Sequence, residues 1–281
     1  MIDLVVDDLI CPHCGGELRV NGASLICSRG HTANVARQGY VSLLGRDSGT
    51  HTADSPEMVA ARQRIHEANL FEPAMSALGS AMEDPSLSEV PGLILDLGSG
   101  PGTYLQRTLD LMPERHGLAI DNSKFAARRA ARCHPRAAAV VADVWDGLPV
   151  STAAAAVVIN VFAPRNGEEI ARVLAPGGRL IILTPEPDHL SEIVGPLGMI
   201  SVDPDKEERL ERSIAAVPGS STESQVRWQM ELSRQQVADL VAMGPSAGRM
   251  APDEASQALD SLSYPLGVTG AVRVTVVSRE H

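Results

Sequence analysis

The sequence predicts an α/β protein: a mainly parallel wound sheet with helices on both faces, joined to a small amino-terminal module. Three observations predict it. From Leu93 onward, apolar runs of strand length alternate with helical segments. The first of these runs breaks into alternating glycines, and three of the four cysteines fall within the first thirty residues. The alternation requires a parallel sheet covered on both sides, because each crossover helix carries the chain back over a face. With 281 residues, 44% of them hydrophobic, the chain can bury such a core and still carry a further unit.

Residues 1–45 have short apolar runs with turn signals at Gly15-Gly16 and Asn21-Gly22, which suggest a pair of hairpin knuckles. Within them Cys11, Cys14, Cys27 and His31 follow the pattern C-x2-C-x12-C-x3-H. Tetrahedral zinc asks for four such ligands. With every position taken by protein, one structural Zn2+ is expected, since a catalytic zinc keeps a position open. A ribbon this small has too few apolar residues to hold itself together without the ion. His13 is a rival ligand, but it lies inside the first knuckle and is expected to point outward. Cys133 is expected to be a small buried residue on a basic helix.

Residues 46–90 read as a loop and helical linker. The polar stretch from Gly45 to Pro56 is expected to be a loop that orders on ligand binding. A helix then starts with Ser55 as N-cap and Pro56 in its first turn, with Met58, Ile65 and Leu70 among its apolar positions. A second helix is expected after Pro73. Residues 91–281 form the larger domain, with strands at 93–97, 117–120, 138–142, 155–162 and 179–184. Helices are expected near 103–112, 123–133 and 167–174, with Pro176-Gly177-Gly178 as the turn before the fifth strand. A helix is expected after Ser233, and residues 224–232 and 271–278 on either side of it are expected to pair as antiparallel sixth and seventh strands.

The chemistry concentrates in Leu95-Asp96-Leu97-Gly98-Ser99-Gly100-Pro101-Gly102-Thr103. Glycines at 98, 100 and 102 remove the Cβ atoms that would keep a nucleotide-sized ligand off the backbone, and the next helix offers unpaired N–H groups. The dinucleotide fingerprint G-x-G-x-x-G does not fit, because the third glycine comes one position early and an Asp precedes the first. Asp121 closes the second strand, where its carboxylate can accept from ribose hydroxyls, and Asp143 closes the third, where it can meet an adenine amino group. Three acids at the carboxyl ends of successive parallel strands mark the ligand edge of an open α/β sheet. The competing reading makes each Asp a helix cap or loop residue. Asp96, Gly98, Gly100, Gly102, Asp121, Asn122, Asp143, Val144 and Asn160 therefore form a candidate site for S-adenosyl-L-methionine. The fold expected is that of a class I SAM-dependent methyltransferase, Rossmann-like with a seven-stranded sheet, and an N-terminal zinc ribbon.

A net charge of −11 argues against indiscriminate nucleic-acid binding. A local patch can still serve. The run from Lys124 to Arg136 has five basic residues and no acid, and Arg19, Arg29, Arg37, Arg46, Arg62 and Arg64 fall in the amino-terminal quarter. The bland alternative is a set of solvated helix faces. No run of eighteen apolar residues occurs, and the amino terminus has acids where a secretory signal has basic and apolar regions. The expectation is a cytoplasmic protein with no membrane partner.

The order of zinc ribbon, Arg37-Gln38-Gly39-Tyr40-Val41-Ser42-Leu43-Leu44, the helix Glu57-Met58-Val59-Ala60-Ala61-Arg62, the glycine loop and Asn160-Val161-Phe162-Ala163-Pro164-Arg165 resembles the RlmA family of 23S rRNA guanine-N1 methyltransferases. Ala142-Asp143-Val144-Trp145-Asp146 and Ala242-Met243-Gly244-Pro245-Ser246 resemble its type II branch, that of the tylosin- and mycinamicin-resistance enzymes. The likeness covers nearly the whole chain. It implies methyl transfer to N1 of a guanine in the loop of hairpin 35 of 23S rRNA, resistance to mycinosylated macrolides, and a homodimer enclosing one RNA. For that reaction Asn160 is the expected positioning group, Phe162 a stacking face, and Arg165 a partner for O6 or a phosphate. Asp188 and His189 are candidate proton acceptors that can equally cap the next helix. The ribbon is expected to grip RNA through Arg19, Arg29 and Arg37. Two rival readings remain: a methyltransferase of a small molecule, which has no use for a zinc ribbon, and a non-enzymatic zinc-dependent RNA-binding module, which has no use for the three acids.

Overall fold

The computed structural model describes residues 1–45, 52–200 and 206–280; of the expected loop between Gly45 and Pro56, residues 46–51 lie outside the described residues. At the amino terminus β1 (Leu18–Asn21), β2 (Ser24–Cys27) and β3 (Thr32–Asn34) form an antiparallel sheet, followed by β4 (Val41–Ser42). Two helices come next, α1 (Pro56–Glu67) and α2 (Glu72–Ser80). The Ser55 side chain accepts from the Met58 N–H at 3.2 Å, so the predicted cap is present. Leu70 lies past the end of α1.

The larger domain runs β5 (Leu93–Leu97), α3 (Thr103–Leu111), β6 (Gly117–Asp121), α4 (Lys124–Ala130), β7 (Ala137–Val141), β8 (Ala155–Val161), α5 (Gly167–Val173) and β9 (Leu174–Pro185). It continues through α6 (Ser191–Val194), α7 (Lys206–Ala215), β10 (Gly219–Leu232), α8 (Arg234–Ala242), α9 (Pro252–Asp260) and β11 (Leu266–Arg279). The sheet order is β10-β11-β9-β8-β5-β6-β7-β4. The seven expected strands are present, and β4 joins them as an eighth, parallel to β7. Strands β5 to β8 are buried at every position, which is why they read as continuous rather than alternating apolar runs. The order reverses at β5, between β6 and β8, and the crevice outside the carboxyl ends there is where such sheets bind ligands.

Two expectations are corrected. Pro176-Gly177-Gly178 does not separate a helix from a strand: β9 starts at Leu174, which pairs with Ala155, and the register resumes at Arg179 opposite Val157. The extra residues bulge within one strand, with Gly177 at φ 75°. Helix α4 ends at Ala130, so Cys133 lies beyond it in the turn before Pro135.

The ribbon has no core of its own. Ile2, Val5, Leu9, Leu18 and Leu25 belong to one apolar cluster with Leu118, Val140 and Leu180 of the large sheet. Backbone bonds complete the join, from Ile10 N–H to the Pro149 carbonyl at 3.1 Å and from Ser151 N–H to the Asp8 carbonyl at 2.8 Å. Among the described residues no helix is long and apolar enough to cross a membrane.

Candidate active site

A cavity of about 1010 Å³ opens over the carboxyl ends of β5, β6, β7 and β8. That is the upper end of the range for small-molecule sites, large enough for a nucleoside-sized donor and part of a second molecule. Asp96, Gly98, Gly100, Asp121, Asn122, Asp143 and Val144 line it, as do Phe162 and Arg165. Gly102 and Asn160 do not. Helix α1 contributes Arg62 and His66, the end of α8 contributes Leu240, and Met243 follows it.

The glycine loop is shaped by protein contacts as much as by any ligand. A Cβ on Gly98, at φ 72°, would stand 2.3 Å from the Ala163 Cβ, and one on Gly100, at φ 54°, would stand 2.9 Å from an Arg62 nitrogen. Gly102 faces Cys133 and Ala130, which corrects the expectation that it clears space for a ligand. The loop is tied to the next strand through Asp121. One of its oxygens accepts from Gly100 N–H and the other from Ser123 N–H, each at 2.8 Å. A carboxylate keeps further lone pairs after two such bonds, so Asp121 remains able to accept from a ribose.

Burial, followed by the neighbouring charge of Asp121, pushes the Asp96 carboxyl up to about 8. Burial likewise raises Asp121 to about 6, against the two N–H donors that favour its anion. Burial and the Arg62 charge lower His66 to about 4, so its ring is neutral at pH 7.

Aromatic residues make up 3% of the chain, yet Phe71, Phe162 and Trp228 gather with His189 at the far rim of the cavity. Phe71, 2% exposed, meets Phe162, His189 and Trp228 edge-on with centroids 5.7–6.1 Å apart. Trp228 lies across Gly270, its cross-strand partner, where a Cβ would stand 2.1 Å from the indole; its N–H donates to the Leu70 carbonyl at 2.9 Å. Phe162 is 41% exposed at φ 53°, a left-handed conformation costly for a residue of its bulk. Held this way, its ring stays on the rim instead of joining the core.

The structure places Asn160 differently from expectation. It is fully buried, its amide N–H groups donate to the Leu97 and Pro164 carbonyls at 3.1 and 3.0 Å, and its oxygen accepts from Arg165 at 3.3 Å. Asn160 therefore holds the loop that carries Phe162 and Arg165. His189 Nδ1 accepts from Ala271 N–H at 3.1 Å, so the neutral ring keeps its proton on Nε2 and acts there as a donor, not the expected acceptor. Asp188 pairs with Arg227 and does not line the cavity.

In the ribbon, the donor atoms of Cys11, Cys14, Cys27 and His31 all lie within 4.8 Å of one another. The Cys14–Cys27 Sγ separation is 3.7 Å, and His31 Nδ1 lies 3.5 and 3.4 Å from the Sγ atoms of Cys11 and Cys27. Zinc bond lengths in a tetrahedron give S–S edges of about 3.8 Å and S–N edges of about 3.6 Å. The residues fit the ion, with His31 binding through Nδ1. Burial works to raise the Cys27 thiol, but hydrogen bonds from the N–H groups of Arg29 and His31 and from the Cys14 and His31 side chains together bring it to about 6, ready to ligate as thiolate. His13 is exposed and stands beside the cluster, outside the ligand set.

Comparison with known proteins matches both parts of this architecture. Residues 9–46 match the RlmA N-terminal family model, and residues 94–178 match a methyltransferase domain. The 23S rRNA (guanine(748)-N(1))-methyltransferase of Streptomyces fradiae is 42% identical over 272 residues, covering 97% of each chain. The chain belongs to the family of 23S rRNA (guanine-N1)-methyltransferases. A Micromonospora griseorubida protein that carries the name of such an enzyme is also 42% identical, over 95% of each chain. A Bacillus subtilis protein, YxjB, that carries the same kind of name is 33% identical over 65% of this chain and 66% of its own. The fold is a class I SAM-dependent methyltransferase, S-adenosylmethionine is its cofactor, and the ribbon is a zinc site.

Within this family member, several residues expected to face RNA are already engaged by the protein itself. Arg64 makes two bonds to the buried Asp239 carboxylate at 2.9 and 2.6 Å, and Arg136 donates to the carbonyls of Leu109, Met112 and Arg115. Arg46 lies outside the described residues. Arg19, Arg29 and Arg37 are exposed on the ribbon, and Lys124, Arg128 and Arg132 are exposed on or just after α4. Sequence reasoning missed Trp145, which is 49% exposed and lines the cavity, and the α1 residues Arg62 and His66. An exposed tryptophan beside a site acid carries no periodic signal, and α1 shows only that it is a helix.

Proposed function

We propose that the chain methylates N1 of a guanine in the loop of hairpin 35 of 23S rRNA and thereby confers resistance to mycinosylated macrolides. The observation that carries the reading is the cavity's two unlike ends. One is lined by acids and a glycine loop, and the other is rimmed by Phe162 in a strained, exposed conformation. When bound, S-adenosylmethionine supplies an electrophilic methyl group. Asp121 and Asn122 would hold its ribose, Asp143, Val144 and Trp145 its adenine, and Asp96 with Gly98 and Gly100 the remainder.

The protein's other task is to hold an acceptor base that has left its stack. Phe162 offers the stacking face and Asn160 sets the loop beneath it. As the N1–CH3 bond forms and the donor's S–CH3 bond breaks, the N1 proton passes to water and negative charge gathers on O6 as it leaves; the Nε2–H of His189 and the guanidinium of Arg165 are the donors suited to that charge. RNA approaches along the ribbon face carrying Arg19, Arg29 and Arg37. Lys124, Arg128 and Arg132, exposed on or just after α4, would add to that grip. A homodimer enclosing one RNA belongs to the same reading, as does a cytoplasmic location. Light scattering that gave a single-chain mass with hairpin RNA present would remove the dimer.

The kinship with the S. fradiae enzyme makes guanine 748 the first nucleotide to map. A methyl on N1 blocks the Watson–Crick edge, so primer extension on hairpin 35 transcripts should stop there after incubation with protein and donor. No stop with wild type, or an equal stop with Phe162→Ala, counts against the reading. Because the ribbon shares the core, RNA grip is tested with Arg19, Arg29 and Arg37 changed to Ala, not by truncation. Each arginine that neutralises a phosphate should, on replacement, lower the salt slope of binding by about 0.7–0.9.

A further inference from the structure

The cavity has a third region that neither the donor nor the target base accounts for. Beyond His189 its wall is built by two segments: the chain from Leu190 to Ile200, which gives Ser191, Val194, Met199 and Ile200, and the turn after α8, which gives Met243 and Pro245. That turn belongs to the run Ala242-Met243-Gly244-Pro245-Ser246, one of those that carry the family resemblance. The two walls are tied to each other, since the Oγ of buried Ser246 accepts from the Ile200 N–H at 2.8 Å. Arg62 Nη2 fixes the turn from the other side through the Met243 carbonyl, also at 2.8 Å. Leu190, buried at φ 57°, turns the chain sharply into α6, and its N–H donates to the Thr269 carbonyl at 2.8 Å. The arm is therefore preformed. Among the described residues, neither segment gives the cavity a charged side chain, so a phosphate finds no cation there. An uncharged planar group suits it better: the thioethers of Met199 and Met243 favour contact with π rings, and Ile200, 46% exposed, offers an apolar face at the mouth.

We propose that this arm receives a second base, the unpaired neighbour of the target guanine on the same RNA strand. The inference rests on the acceptor reading given above and adds to it a requirement on the substrate. Drawing the target guanine out of its stack bares a face of the adjoining base, and an apolar recess beside the acceptor site offsets that exposure. The spacing fits. Helix α6 begins two residues after His189, and its four residues rise about 6 Å, a distance that one nucleotide step covers. Contacts of this kind are tolerant of sequence, so the arm senses that the neighbour is unpaired and free to leave the stack, not which base it is. The enzyme would then select a guanine flanked by an unpaired nucleotide over one held inside a helix.

Methyl transfer by the zinc-loaded full chain to synthetic hairpin 35 RNAs tests it. The set comprises the intact loop, loops lacking the base on the 5′ or the 3′ side of the target guanine, and a control lacking a base further along the strand. At least one of the two adjacent removals should lower kcat/KM at the target about tenfold, mostly through KM, while the distant removal changes it less than about twofold. Ile200→Ala, at an exposed position outside the donor and acceptor groups, should lower kcat/KM on intact RNA and cancel most of the penalty for the missing neighbour. Equal rates on the adjacent and distant removals would overturn the assignment without needing any variant to fold. So would an Ile200→Ala protein that slows intact and base-lacking RNA by the same factor, because the arm then does not hold the neighbour. Either result leaves the acceptor reading standing, since the intact RNA is still methylated; intact RNA left unmethylated by the wild type overturns both.

Discussion

Replacing Gly98 by alanine separates the two reasons for a glycine at that position. At φ 72° an alanine sits in the left-handed region, at a cost of roughly 1–2 kcal/mol. Its methyl would also stand 2.3 Å from the Ala163 Cβ, well inside contact distance, and forcing the two apart costs about 1–3 kcal/mol. Gly98→Ala should therefore lower stability by about 2–5 kcal/mol in urea unfolding. With Ala163→Gly the nearest heavy atom becomes the residue 163 Cα at 3.7 Å, an ordinary contact. Measured against the Ala163→Gly single variant, the added alanine should then cost only the backbone term of roughly 1–2 kcal/mol. If the alanine costs as much in that background as in wild type, the contact between the glycine loop and the Phe162–Arg165 loop is not what excludes a side chain.

Zinc removal should act beyond the ribbon. Metal analysis should give one zinc per chain, and a chelator should lower the single thermal transition of the whole protein rather than release a separate early one, because the ribbon shares its core with the sheet. Asn160→Ala removes the donor to the buried Leu97 carbonyl and to the more exposed Pro164 carbonyl, and should cost about 1–3 kcal/mol for the buried group left unpaired. Its methyl transfer should fall as the Phe162 loop loosens, so an Asn160→Ala protein of unchanged stability contradicts that role. Asp96 supplies a pH test. Its carboxyl is raised from 3.8 to about 8, so the folded chain keeps a proton the unfolded chain releases, and stability falls as pH rises between those values. The melting temperature of Asp96→Asn should gain on wild type from pH 5 to 8 and then hold level; a constant gap would mean that Asp96 ionises as freely in the fold as outside it.

The fold was legible because its signals are local and repeated. Strands β5 to β8 are mainly apolar runs, Ser55 and Ser233 cap their helices, and the spacing of Cys11, Cys14, Cys27 and His31 needs no tertiary information. The eighth strand was not legible, since two residues at 41–42 carry no period. Asp96, Asp121 and Asp143 line the cavity as expected because strand ends are readable positions. Arg62, His66 and Trp145 were missed because their roles depend on which elements meet, and Arg62 reaches Gly100 only through the packing of α1 over the sheet. The same limit affected Asn160 and His189: the residue types suit contact with a base, but their neighbours Leu97, Pro164 and Ala271 decide which atoms remain available.

The most direct measurement is nuclease digestion and mass spectrometry of hairpin 35 RNA after reaction with the purified zinc-loaded protein and S-adenosylmethionine. The account predicts a single methyl on N1 of one loop guanine, and none when Asp121 is replaced by Ala. A methyl on another atom or another base, or RNA returned unmodified by a protein that binds the donor, would contradict it.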